Sequence, residues 1–295
     1  MSEFLEFTGE RFTPECVREI RYEHVHRYAF ARELVSNRRV LDAACGEGYG
    51  SALLAQTARS VCGVDVSSSA VEHARKRYQA GALSFRRADC LDLPFDAGEF
   101  DCVVSFETLE HLEDHERLLG EFRRVLKPDG FLLISTPDKA IYTDALGNRN
   151  EYHVRELYRP EFEDLITAHF PAHRLWGQKL VFQSAIWSLE AAEGLTVHRE
   201  GPGGIERLAR PAHEAVYLIA ACAAQADALP QLPAGLDLFD DADESVYSHY
   251  HHEIRKNMAA GELLAERDRE IERLEAALAE ARSEPAWWRR LFGSR

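Results

Sequence analysis

The sequence predicts an α/β fold: a seven-stranded, mostly parallel sheet with helices on both faces. Short apolar runs alternate with helical segments from residue 38 onward, and a glycine-rich turn follows the first run. In addition, acids stand at three successive strand ends, Asp42, Asp65 and Asp89.

Residues 15–36 carry apolar positions at helical spacing (Val17, Ile20, Val25, Tyr28, Ala29, Leu34), one or two leading helices. Residues 38–43 read as a buried strand that runs into CGEGYG and then a helix to residue 59. A second strand covers 60–66, and a helix over 70–79 follows a serine-rich cap. The third and fourth strands are 83–88 and 100–105, and a helix then runs to about residue 126. Lys127-Pro-Asp-Gly130 reads as a turn, because Pro stops the helix and Gly admits the left-handed position. The fifth strand is 131–136, a polar loop reaches to about 153, and a helix spans 160–169. Two late strands, 173–181 and 214–223, flank an insertion at about 182–212 that is rich in Gly and Pro.

The expected organisation is N-terminal lid helices over 1–37, an α/β domain over 38–225 and an acidic linker over 226–250. A charged helix or short coiled coil follows over 251–283, then a Trp/Arg tail over 284–295. Leu264, Ile271 and Leu278 lie seven apart with Leu274 and Ala281 between them, but Arg267 interrupts the seam. A solvated single helix and a dimeric coiled coil, hence a homodimer, both remain open. The tail reads as a strand of chain docked on the domain, or as a peripheral foot for a membrane surface or partner protein.

The formal charge of −15 repels phosphate backbones and argues against a long nucleic acid as partner. Six scattered cysteines without a C-x-x-C pair suit a reducing compartment. No secretory signal and no apolar run of transmembrane length is evident, so the expectation is a soluble cytoplasmic protein, with the inner membrane face as the place the tail could reach.

In an open parallel sheet, ligands bind beyond the carboxyl ends of the strands. Gly46 and Gly48 would let backbone approach a ligand there, Asp65 could accept both hydroxyls of a ribose, and Asp89 an adenine amino group. No Gly-x-Gly-x-x-Gly frame of an NAD-binding domain fits, because position 51 is Ser. With these residues, the Asp-x-x-x-Leu-Pro-Phe segment at 89–95 and RVLKPDGFLLIST, residues 38–136 resemble the class I S-adenosylmethionine-dependent methyltransferases, whose sheet is Rossmann-like. The resemblance implies S-adenosylmethionine as cofactor, with Asp42 and Ala44 in the glycine loop and Ala44 replacing the family's first Gly. It further implies Gly46 and Gly48 at the methionine part and Asp65 with Val66 at the ribose. Asp89 and the Cys90 backbone would hold the adenine, and Phe106 would flank the sulfonium.

On the acceptor side, a hydroxyl needs a base or a metal to become nucleophilic. Glu107, Glu110 and His111 follow the fourth strand at i, i+3 and i+4, so one helical turn would project them from one face as a site for Mg²⁺ or Mn²⁺. The segment resembles the Glu-x-x-Glu-His motif of ubiquinone-pathway O-methyltransferases and of small-RNA 2′-O-methyltransferases. That likeness implies His153 as fourth ligand, followed by Glu156 and Phe162. A metal-free base role for His111 or His153, assisted by Glu110, and a purely structural role for the turn are the alternatives. In the N-terminal strip, Arg11, His26, Arg27 and Tyr28 are candidates to contact a carboxylate or the acceptor. GERFTPE, HRY, GEGYG and HVREL together resemble bacterial methyltransferases acting on sugars or polysaccharides. The expected function is therefore O-methylation of a glycan or small hydroxylated molecule, with metal-independent N- or C-methylation, or a cofactor-binding interaction protein, as alternatives.

Overall fold

A computed structural model describes residues 19–186 and 195–283, in two compact units that divide between Phe239 and Asp240. The expectations for Arg11 and Cys16, for part of the insertion and for the Trp/Arg tail lie outside the described residues.

The first unit contains α1 (Glu19–Leu34), β1 (Arg39–Ala43), α2 (Tyr49–Leu54), β2 (Ser60–Asp65), α3 (Ser68–Arg77) and β3 (Leu83–Arg87). It continues through β4 (Phe100–Phe106), α4 (His115–Val125), β5 (Leu126–Pro137), α5 (Arg159–His169) and β6 (Ala172–Gln178). A hairpin of β7 (Val197–Gly201) and β8 (Gly204–Leu208) follows, and β9 (Tyr217–Ala223) completes the main sheet. Its order is β3-β2-β1-β4-β5-β9-β6, with β1 to β5 parallel and β9 antiparallel to both β5 and β6. The expected seven-stranded, mostly parallel sheet is present.

The central strands β1 and β4 are almost wholly buried, which their near-continuous apolar sequences RVLDA and FDCVVSF require of a sheet covered on both sides. Because strand side chains alternate, neighbours feed opposite faces. Leu41, Val103 and Leu132 join one core with Phe122 of α4, and Val40, Val104 and Leu133 join the other with Tyr28 and Leu54. Asp114 caps α4 by accepting from the Arg117 amide at 3.0 Å, and Ser67 caps α3 through the Ala70 amide.

Several local expectations change. The helix after the glycine loop is only Tyr49–Leu54. The Lys-Pro-Asp-Gly turn lies inside β5, where the pairing with β4 jumps from Phe100–Leu126 to Cys102–Phe131. The loop after β5 contains a π-helical turn, Ala140–Ala145. The insertion forms the β7–β8 hairpin, with no buried residue in either strand.

The stretch 226–250 divides: up to Phe239 it lies along the first unit, because apolar side chains punctuate its acids. Leu229 and Leu232 pack on the α1-side core, Trp176 Nε1 donates to the Pro233 carbonyl at 3.2 Å, and Phe239 stacks on His26. In the second unit, α6 (Ser245–Ser283) is one helix of 39 residues with Leu264, Ile271, Leu274 and Leu278 exposed. Five cysteines (Cys45, Cys62, Cys90, Cys102, Cys222) are free thiols, and no described helix is long and apolar enough to cross a membrane.

Candidate active site

The carboxyl ends of β1, β2 and β4 bring the predicted cofactor residues to one rim of the sheet. Asp65 ends β2 and braces the glycine loop: its Oδ2 accepts from the Gly46 amide at 3.0 Å and its Oδ1 from the Ser67 amide at 2.8 Å. The two glycines of the loop differ in role. At Gly46 (φ 55°) a Cβ would meet no protein atom within 4 Å, as expected of backbone kept open for a ligand. At Gly48 (φ 94°) a Cβ would lie 2.7 Å from Phe85 and 2.8 Å from Ala74, so this glycine serves close packing of the loop on α3 and β3. Ala44 adopts the left-handed conformation too, at φ 58°. A side chain there costs about 1 kcal/mol relative to the glycine it replaces.

Asp42 has no exposure; its carboxyl accepts from Tyr28 Oη at 3.1 Å and Ser51 Oγ at 2.5 Å. Burial pushes its pKa up to about 7, against the pull of those two hydrogen bonds. It therefore ties α1 and α2 to β1 from within the protein. Asp89 turns its Oδ1 to the Leu91 amide at 2.9 Å, Cys90 is buried beside it, and Val66 is largely exposed. Phe106 is buried against Tyr28 in an edge-to-face contact of 5.1 Å, so it forms the floor of this rim. Glu47, inside the loop, is anchored by Tyr78 Oη at 2.7 Å and His73 Nε2 at 3.1 Å, an anchor the sequence reading missed.

The Glu-Glu-His segment is not an α-helical turn. Glu107 sits at φ 52°, and Leu109–His111 form a single 3₁₀ turn before α4 begins at His115. The left-handed residue turns the Glu107 side chain aside, where its Oε1 accepts from Ser135 Oγ at 2.7 Å and lies 3.9 Å from Arg27 Nη1. Glu110, His111 and His153 converge instead: one ligand atom of each lies within 4.8 Å of the others. Glu107 stands apart from this group of three.

Neighbouring groups orient the three. His111 Nδ1 donates to the Tyr152 carbonyl at 2.9 Å, and His153 Nδ1 donates to Glu156 Oε1 at 2.5 Å. In both rings Nδ1 is thereby the nitrogen that carries the proton. Glu156 is held in turn by Thr143 Oγ1 at 2.5 Å. Glu110 is buried and accepts from Thr136 Oγ1 at 3.1 Å; burial, reinforced by the Glu107 charge, raises its pKa well above the usual carboxylate range. A buried carboxylate destabilised in its charged form, beside two imidazoles with Nδ1 engaged, is a donor set that fits a divalent cation.

Sequence reasoning had no signal for Glu23, Gln178 and Tyr217, which α1, β6 and β9 bring to the far side of the same rim. Arg27 bridges them: Nη1 donates to Gln178 Oε1 at 2.7 Å and the guanidinium lies 4.9 Å from the Tyr217 ring centre. Tyr217 hydrogen-bonds Glu23, whose pKa burial raises to about 7.

The strand order β3-β2-β1-β4-β5-β9-β6, with one antiparallel strand, is that of a Rossmann-like doubly wound sheet, whose ligands bind at the strand ends where the glycine loop lies. The methyltransferase domain family matches residues 41–134. A probable S-adenosylmethionine-dependent methyltransferase of Mycolicibacterium smegmatis is 35% identical over 195 residues, 64% of this chain and 74% of that protein. Another, from Mycobacterium tuberculosis, is 36% identical over 165 residues, 55% of this chain and 60% of that protein. A fatty-acid O-methyltransferase of Mycolicibacterium smegmatis is 31% identical over 53% of this chain and 56% of its own length. The chain thus spans less than two thirds of the latter two relatives. It belongs to the S-adenosylmethionine-dependent methyltransferases.

Proposed function

We propose that the protein transfers the methyl group to a hydroxyl of a glycan or small hydroxylated molecule, with a divalent cation held by Glu110, His111 and His153. The observation that carries this reading is the convergence of those three within 4.8 Å with both Nδ1 atoms engaged. Two imidazoles and one carboxylate are a more nitrogen-rich set than the sequence suggested, which favours Mn²⁺ over Mg²⁺. Such an ion supplies Lewis acidity that lowers the pKa of an acceptor hydroxyl. The chain's own part is positional. Gly46 and Asp65 hold the donor above β1 and β2, the 3₁₀ turn presents Glu110 and His111 beyond β4, and His153 closes the acceptor side from the loop after β5. The likeness of this chain to a fatty-acid O-methyltransferase, 31% identical, is consistent with oxygen as acceptor atom.

The same pair of imidazoles, with ring centres 5.0 Å apart, favours a second reading, in which His111 or His153 acts as a bare general base. Chelation separates the two. On the metal reading, EDTA abolishes turnover and Mn²⁺ restores it, while Glu156→Gln weakens metal binding about 10–100-fold by releasing His153. Turnover indifferent to EDTA in metal-free protein overturns the metal reading and leaves the base.

A further inference from the structure

The guanidinium of Arg27 is enclosed on every side, with 1% of the residue exposed, yet only one of its edges is engaged. Nη1 serves Gln178 at 2.7 Å and faces Glu107 at 3.9 Å, whereas Nε and Nη2 are buried without any hydrogen-bond partner. Those two N–H groups are the side-on fork of the guanidinium, parallel donors spaced for the two oxygens of one carboxylate. Leaving both unmade inside the protein costs on the order of 1–3 kcal/mol each. We propose that Arg27 is a carboxylate receptor of the active site, its Nε–Nη2 edge holding the carboxylate of a bound substrate.

The surroundings select the charge of that ligand. Glu107 lies 3.9 Å from Nη1, and Glu23 adds a second carboxyl close by. Two carboxyl groups around one guanidinium disfavour a phosphate dianion and leave room for a single negative charge. A water molecule would meet these donors singly and bring no charge. The position suits two sources. α1 also touches the two elements that flank the glycine loop, through Tyr28 on Asp42 of β1 and His24 on Tyr49 of α2, which places Arg27 within reach of the methionine end of the donor. Gln178 and Tyr217 belong to β6 and β9, on the acceptor half of the sheet, which places it equally within reach of an acidic acceptor. The assignment rests on the methyltransferase reading and is independent of the metal.

Calorimetry of the wild-type full chain with S-adenosylmethionine and with its decarboxylated analogue tests the donor source, because the ligands differ only in that group. If the donor supplies the carboxylate, S-adenosylmethionine binds about 30-fold tighter, and Arg27→Gln reduces the difference to about threefold or less. For the acceptor source, D-glucuronate and D-glucose are the probes, with S-adenosylhomocysteine saturating. If the acceptor supplies it, wild-type protein prefers the uronate, Arg27→Gln loses that preference and donor affinity is unchanged. Arg27→Lys, which keeps the charge and removes the fork, replaces Arg27→Gln should the latter not fold. The proposal is overturned if wild-type protein ignores the carboxylate in both pairs, or if both variants retain its discrimination. Mn²⁺ uptake by the Arg27 variants stays at the wild-type level, so failure here is distinguishable from failure of the metal reading.

Discussion

Single residues show most directly which sequence features act through the fold and which through a ligand. Gly46 and Gly48 look equivalent in CGEGYG, yet only the second is hemmed in by the protein's own atoms. Gly48→Ala therefore destabilises the fold by about 2–4 kcal/mol, through overpacking on Phe85 and the left-handed backbone. Gly46→Ala costs about 1 kcal/mol of stability but at least tenfold in S-adenosylmethionine affinity. Denaturant unfolding and calorimetry on the two variants give opposite rankings. Asp42 supplies a pH signature. Burial lifts its native pKa to about 7, above the usual carboxylate range, so at about pH 5–6 the folded state holds a proton that the unfolded chain has released. That contribution to stability is complete below about pH 4 and is lost as pH rises through about 7. Asp42→Asn flattens the dependence of melting temperature on pH across this window, and Glu23 leaves a smaller slope of the same sign.

At the scale of elements, the acceptor side depends on a turn that is not the one the spacing suggested. An α-helix would have put Glu107, Glu110 and His111 on one face. The left-handed Glu107 and the short 3₁₀ turn send Glu107 toward Ser135 and Arg27, while the Glu110 carbonyl accepts from the amides of Val154 and Arg155, drawing the His153 loop alongside. The motif named the residues, and long-range hydrogen bonds chose their partners. The β7–β8 hairpin is the opposite case, an element with neither motif nor core. Its replacement by a short Gly-Ser connection changes stability by no more than about 0.5 kcal/mol, measurable by chemical denaturation.

For the molecule as a whole, the three converging side chains come from two separate segments, so a bound ion ties the turn after β4 to the loop after β5 only in the folded state. Mn²⁺ at 100 times its dissociation constant stabilises the wild type by about 2.7 kcal/mol. His153→Ala abolishes the corresponding rise in melting temperature, and thermal scans with and without the ion check it. The two-unit division falls at Phe239, beyond the composition shift near residue 226. Acidity alone reads as linker, but Leu229, Leu232 and Phe239 anchor this stretch to the first unit.

The strands of the main sheet, their order along the chain and the acids at the strand ends were legible in the sequence. Short apolar runs and glycine turns are local properties, written within a few residues of where they act. Asp65 at the end of β2 needs no distant information to be recognised. The antiparallel return of β9, the buried hydrogen bonds of Asp42 and the Arg27 cluster were decided only in three dimensions. Each joins residues far apart in sequence, Arg27 to Gln178 across 151 positions, and no spacing rule spans such a gap. Local chemistry thus settled what kinds of elements the chain possesses and which residues end its strands. Packing settled which side chains share a site, because the energetic demand to satisfy buried polar groups is met only once the whole sheet has closed.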